Sequence, residues 1–246
     1  MASWDSLPSE IRLMVLRCIA PRTKNHECEF PSAPILATVS QEWKGFFERN
    51  TFQNLALDNT DLHAFSSAVR GENVVRLDYI KKLRVRVNLL TYTARIAAKP
   101  ESATNAIQNN RIFTQAVAAL LKALSSWKGD NGGLILDFDA CSPSDYQCHG
   151  PDGDGIHQRL RGTPLEFKPS LIKKKSPYSG PAHNLPSTPI VKGLRLCMDT
   201  PRVIELESLA KLCRESFVAL ESFSFSYFIS RTEEKERRFL EGICQS

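Results

Sequence analysis

Beyond residue 50 the hydrophobic positions keep returning to one template. Phe52-x-x-Leu55-x-Leu57, Ile80-x-x-Leu83-x-Val85-x-Val87, Val191-x-x-Leu194-x-Leu196-x-Met198 and Leu220-x-x-Phe223-x-Phe225-x-Tyr227 share it. Leu134-x-Leu136-x-Phe138, entered through Gly132-Gly133, supplies a fifth core. Alternation at period two predicts strands with one apolar face. Between them the spacing turns helical. Leu62, Phe65, Ala68 and Val69 predict a short helix, and Phe113–Trp127 a stronger one through Phe113, Val117, Leu120, Leu121 and Leu124. Val203–Phe217 follows with Ile204, Leu209, Leu212, Cys213 and Phe217, and Thr232–Gly242 is a charged closing helix with Phe239 and Leu240 as its apolar contacts. Strands alternating with helices imply parallel strands joined by crossovers.

Ahead of this region lie two helix starts. In Leu7-Pro8-Ser9-Glu10-Ile11, Pro8 suits the first helical position, where its missing N–H costs nothing. Glu10 then falls in the first turn, where negative charge favours the helix dipole. Ile11, Met14, Val15, Cys18 and Ile19 follow helical spacing and form one face. In Val39-Ser40-Gln41-Glu42-Trp43, Ser40 is a good N-cap, followed by Trp43, Phe46 and Phe47 at helical spacing.

Together these segments resemble an F-box, the short helical module that docks onto Skp, the linker subunit of cullin–RING ubiquitin ligases. The resemblance covers residues 4–52 and rests on Leu7, Pro8, Glu10, Ile11, the Val15-Leu16 run with Ile19, and Val39-Ser40-x-x-Trp43. It departs from the family pattern at Ala20–Pro34, which is longer than the usual link and carries Pro21, Pro31 and Pro34, so no helix runs through it. The downstream template is similar to the strand portion of leucine-rich repeats. Its spacing is irregular: 28 residues separate Leu55 from Leu83 and 29 separate Leu194 from Phe223, against 51 and 60 in between. The expected fold is therefore α+β overall. A small all-α module at 1–52 would precede a degenerate, irregular α/β leucine-rich-repeat-like array at 53–246, with an ordinary open α/β sheet as the competing architecture.

Residues 141–189 hold eight of the fourteen prolines and five of the twelve glycines, with little apolar periodicity, and read as a long flexible insertion. Lys173-Lys174-Lys175 beside Ser176-Pro177 reads there as part of a solvated tether.

Composition narrows the class. Hydrophobic content of 42% and charged content of 24% are ordinary for a globular protein. No apolar run is long enough to span a bilayer, and the N-terminus lacks a basic region followed by an apolar stretch, so neither a membrane partner nor secretion is expected. Seven cysteines, with Cys18 and Cys213 among apolar neighbours, fit a reduced cytoplasmic or nuclear protein. Of the net charge of +5, much sits in 74–99, where Arg76, Lys81, Lys82, Arg84, Arg86, Arg95 and Lys99 face only Asp78. A basic surplus attracts nucleic acid or acidic partners, but no nucleic-acid-binding motif accompanies it.

The motifs of catalysis are missing: no phosphate loop, no H-E-x-x-H pair, no G-x-S-x-G elbow. Cys141, Cys148, His149 and His157 match none of the usual zinc spacings. Neither an enzyme nor a cofactor or metal is expected. Asp137 and Asp139 share a strand face and read as exposed strand residues. Positions between the apolar ones should point to an open face, which gathers Arg84, Arg86, Asp137, Asp139, Arg195, Ser224 and Ser226. That surface would either hold a polar or charged partner or satisfy itself across strands.

The resemblance implies the substrate-recognition subunit of a ubiquitin ligase. Skp, and through it a cullin, would bind through Leu7, Pro8, Ile11, Val39 and Trp43, with Val15 added from helical spacing. An unidentified target protein would sit on the repeat surface. The alternatives are a non-ligase scaffold, or a nucleic-acid or acidic-surface binder through the basic 74–99 stretch.

Overall fold

The structure, a computed structural model, describes residues 4–20, 33–97, 99–127, 132–145, 162–171, 185–196 and 202–225. The expected helix at Thr232–Gly242 and the Lys173–Lys175 cluster lie outside them. Seven α-helices and five strands occur among the described residues: α1 (Ser9–Ile19), α2 (Ala33–Leu36), α3 (Gln41–Gln53), β1 (Asn54–Asp58), α4 (Leu62–Ala68), β2 (Lys82–Asn88), α5 (Ala94–Ala97), α6 (Ala103–Ser125), β3 (Leu134–Cys141), β4 (Val191–Leu196), α7 (Leu206–Glu215) and β5 (Ser222–Phe225). The fold is mixed α and β, built around a parallel sheet.

The sheet runs β1-β2-β3-β4-β5 in chain order, every neighbouring pair parallel. Register aligns Leu55, Leu83, Leu136, Leu194 and Phe223 in one row across all five strands, and Leu57, Val85, Phe138 and Leu196 in the next. The β3 residue equivalent to Leu83 is thus Leu136, two residues later than the spacing from Leu134 implied. Order without reversal also distinguishes this sheet from a doubly wound one, whose strand order turns back at a switch point.

One face of the sheet carries the main core. Leu83, Val85, Val87, Leu136 and Leu194 are buried there beneath Phe113, Val117, Leu120, Leu121 and Leu124 of α6, with Leu62 and Phe65 of α4 and Leu209 and Leu212 of α7. Phe113 meets Phe138 at 5.9 Å between ring centroids. Each such buried aliphatic or aromatic side chain contributes about 1.5–3 kcal/mol. The core cavity between Leu120, Leu136, Leu194 and Leu212 measures only about 10 Å³, room for a single water and no ligand.

Several elements depart from the hydrophobic pattern for identifiable reasons. Helix α6 begins at Ala103, ten residues before Phe113, because Ser102 caps it by accepting from the Asn105 N–H. Its first turns escaped the apolar pattern because Asn109 and Asn110 occupy inward positions. Helix α7 starts at Leu206, since Ile204 is extended and pairs with Leu165 in a parallel bridge. Phe52 belongs to the last turn of α3 rather than to a strand, and Pro8 flanks α1, its carbonyl accepting the first helical bond from Arg12.

The expectation of one flexible insertion at 141–189 is corrected for its described parts. Leu165 and Phe167 are buried in the main core, and the Leu165 N–H donates to the Val203 carbonyl at 2.8 Å. The Phe167 N–H donates to Ser208 Oγ and the Glu166 N–H to Asn110 Oδ1. Thr188 is buried and bonded to Ser216. Few apolar residues were needed because buried side-chain oxygens from α6 and α7 satisfy this backbone.

A second, smaller core joins α1, α2 and α3 through Leu16, Leu36 and Phe47, with Trp4, Ile19, Phe46 and Trp43 packed around it. Helix α3 passes directly into β1: Gln53 ends one and Asn54 begins the other. Its Phe46 and Phe47 serve the small core while Phe52 packs on the large one. Arg76, from the 3-10 segment Gly71–Tyr79, locks this junction by donating to Glu48 at 2.6 Å and to the Ala68 carbonyl at 3.0 Å.

Candidate functional site

Two surfaces collect the residues singled out in the sequence. The first is the N-terminal helical module. Ser40 caps α3 by accepting the Trp43 N–H, and Glu10 occupies the first turn of α1. Glu42 ties α1 to α3, accepting from Trp4 Nε1 at 3.0 Å and from Arg12 Nη1 at 3.1 Å. Of the stripe on α1, Ile11 is 42% exposed and Met14 59% exposed, while Leu16 turns inward. Ile35 and Val39, at 60% and 59%, are exposed on the second stretch. Leu7 and Val15 are half-buried and Pro8 is exposed. Trp43 is different. Its ring is engaged inside the module, 5.5 Å from Trp4 and 6.0 Å from Phe47 between centroids. Met14, Ile35 and, at the margin, Leu13 are exposed as well; Met14 was already visible in the helical stripe, whereas nothing in the sequence marked Ile35.

The second surface is the sheet face opposite the main core. Register sets Ala56, Arg84, Asp137, Arg195 and Ser224 in one row and Asp58, Arg86 and Asp139 in the next. Ala56, Arg84, Arg195 and Ser224 are exposed; Ser226 lies outside the described residues. Asp139 corrects the expectation of an exposed carboxylate: its side chain is only 3% exposed, covered by two guanidinium groups. Arg86 donates to it through Nε and Nη2, both at 3.1 Å, and Arg84 through Nη2 at 3.2 Å. Lys82 pairs with Asp137 Oδ2 at 2.7 Å, leaving Oδ1 buried without a hydrogen-bond partner among the described residues. Arg195 has no ion-pair partner among them. The structure therefore brings Arg84, Arg86 and Asp139 into contact and places Asp137 and Arg195 beside them in register.

A polar clasp behind the sheet went unrecognised in the sequence. Glu101, its side chain fully buried, accepts from Arg202 at 2.8 and 2.9 Å, from Asn109 Nδ2 at 2.7 Å, and from the Thr163 N–H and hydroxyl. Burial pushes its carboxyl pKa up, but the bonds from Arg202, Asn109 and Thr163 outweigh that and hold it below its ordinary value. Gly162 lies so close to Arg202 that a Cβ there would fall 2.2 Å from the guanidinium. Glu101 and Arg202 are 101 residues apart, a distance no local motif could signal. Nearby, Asp145 accepts from the Tyr92 hydroxyl and from the Ser142 N–H, which ends β3 in a tight turn. Cys141 is buried at that strand end, while Cys148, His149 and His157 lie outside the described residues. These polar groups bond one another and tie the start of α6 to Thr163 and Arg202 and the end of β3 to Tyr92.

Comparison with protein-family models, with curated proteins and with solved structures gives no match.

Proposed function

We propose that this chain is a substrate receptor of an F-box-type ubiquitin ligase. The N-terminal module docks onto Skp, and the α/β region holds the protein to be modified. The carrying observation is the exposed apolar set Ile11, Met14, Ile35 and Val39 on a module whose interior is already filled by Leu16, Leu36 and Phe47. Large apolar side chains left in solvent beside a filled interior are what a protein contact would cover. Of the residues that carry the resemblance, Pro8, Ile11 and Val39 are accessible and Leu7 and Val15 half-buried. Trp43 contributes chiefly by supporting the helices from within.

The downstream region supports the same reading. A parallel sheet in strict chain order is what a leucine-rich-like array produces, each unit stacking on its predecessor. The direct passage from α3 into β1 holds the Skp-binding helices at a set position relative to the sheet. Ligase action in such a receptor is placement: the target's lysines are brought near the ubiquitin-charged enzyme, and this chain makes and breaks no bond.

Co-expression with Skp tests the reading. The native chain is expected to retain Skp through purification, and an Ile11→Asp, Val39→Asp variant to remain folded and lose it. A folded native chain that recovers no Skp would refute the assignment. Recovery of Skp without a cullin would favour a scaffold instead.

A further inference from the structure

We infer that the open face of the sheet receives an acidic segment of a partner protein, held by Arg84 and Arg195 on either side of Asp137. This deepens the reading of that face as the target-holding surface. The charge balance carries it. Lys82, Arg84, Arg86 and Arg195 stand on β2 and β4, and only Asp137 and Asp139 stand between them on β3. Lys82 takes Asp137, Arg84 and Arg86 meet on Asp139, and Asp58 stands opposite Arg86, so four cations face three carboxylates. Positive charge is left over, at accessible positions: the Arg84 side chain is 44% exposed and Arg195 is exposed.

The arrangement is also prepared for an anion. Asp139, buried and bonded, fixes Arg84 before any partner arrives, so less side-chain freedom is lost on binding. A guanidinium presents a planar fork suited to a carboxylate. The ends of the row are small, Ala56 and Ser224, so a segment can lie across the strands without meeting a bulky side chain.

The pattern favours a protein over a nucleic acid. A polynucleotide needs a continuous basic track for its regularly spaced phosphates. Here Asp137 interrupts the row between the two arginines, and Asp58 lies in the adjacent row. Discrete acidic side chains can straddle Asp137; an unbroken phosphate chain runs into it. Arg84 and Arg195 are two strand spacings apart, about 10 Å. In an extended polyproline-II segment, side chains on one side recur every third residue at about 9 Å. The matching ligand therefore carries Asp or Glu at two positions three residues apart.

Affinity selection of a displayed random-peptide library on the full chain tests this. Native protein is expected to enrich peptides with acidic residues at that spacing. A synthetic peptide of the selected sequence should lose about tenfold in affinity to an Arg84→Gln, Arg195→Gln variant and weaken as salt is raised. Arg195→Glu, at a position without an ion pair to break among the described residues, repeats the test should the double variant fold poorly. Skp retention is measured on the same variants and should not change, which separates failure of this inference from failure of the Skp reading. Selection without acidic enrichment, equal binding by the variants, or displacement of the peptide by a charge-matched oligothymidylate would each overturn it.

Discussion

At the scale of the residue, the most consequential carboxylate is Glu101. It is buried together with Arg202, and removal of one member of such a pair strands the other charge. Glu101→Ala is therefore expected to cost about 3–5 kcal/mol in urea unfolding at neutral pH. Arg84→Ala, at a partly exposed bridge, should change stability by about 1 kcal/mol or less. The pH dependence follows from the depressed carboxyls. Glu101 sits below its ordinary 4.5; Asp58 sits below its ordinary 3.8, chiefly because the Thr60 hydroxyl donates to it. Their stabilisation is fully present above those ordinary values and is lost as pH falls through the lower folded-state ones. Acid titration of unfolding should accordingly show a shallower decline for Glu101→Gln than for the native chain. Cys213 behaves oppositely: burial raises its thiol to about 11. At pH 8 only about a thousandth of it is thiolate, so mass mapping should find Cys213 alkylated far more slowly than exposed Cys18.

At the scale of the element, α6 is the principal cover of the sheet. Phe113 and Leu120 are both buried in it against the strands. Truncation of either to Ala should cost about 3–5 kcal/mol by denaturant unfolding, the higher values where the cavity cannot collapse. The strands were legible because their inward residues alternate, and α6 was legible only from Phe113 onward. Its first turns bury Asn109 and Asn110, whose carbonyl oxygens accept the Leu90 and Glu166 N–H groups. A helix whose inward face is polar for the sake of distant backbone leaves no hydrophobic signature. The same reason hid the packing of 162–171, whose Leu165 and Phe167 are too few to show a period. Gly132 and Gly133 were marked as the entrance to β3 and do adopt positive φ, at 76° and 81°, which only glycine takes without strain.

At the scale of the whole molecule, two cores share one helix. Phe47 fills the small core and Phe52 leans on the large one, with Arg76 and Glu48 bracing the join. Phe47→Ala should open the N-terminal module selectively. Hydrogen exchange is then expected to lose protection in α1 and α3 while the amides of β2, β3 and the later turns of α6 keep theirs. Loss of protection throughout would show that the small core is needed for the large one.

The chain's own pattern determined that strands and helices alternate, that the strands run parallel, and which side of each strand is apolar. Those follow from local periodicity and from the helices that lie between successive strands, whose crossovers bring each strand back in the same direction. It also placed Arg84, Arg86, Asp137, Asp139 and Arg195 on one face, since every second residue of a strand points the same way. Tertiary structure decided the rest. Register joined Arg84 and Arg86 on Asp139 and left Arg195 without an ion pair among the described residues. Packing turned Leu16 inward, leaving Ile11 and Met14 in solvent, and seated Trp43 between Trp4 and Phe47. It also met Glu101 with Arg202 across 101 residues. Pair identity and exposure are properties of chain segments brought together from afar, and local spacing carries no record of them.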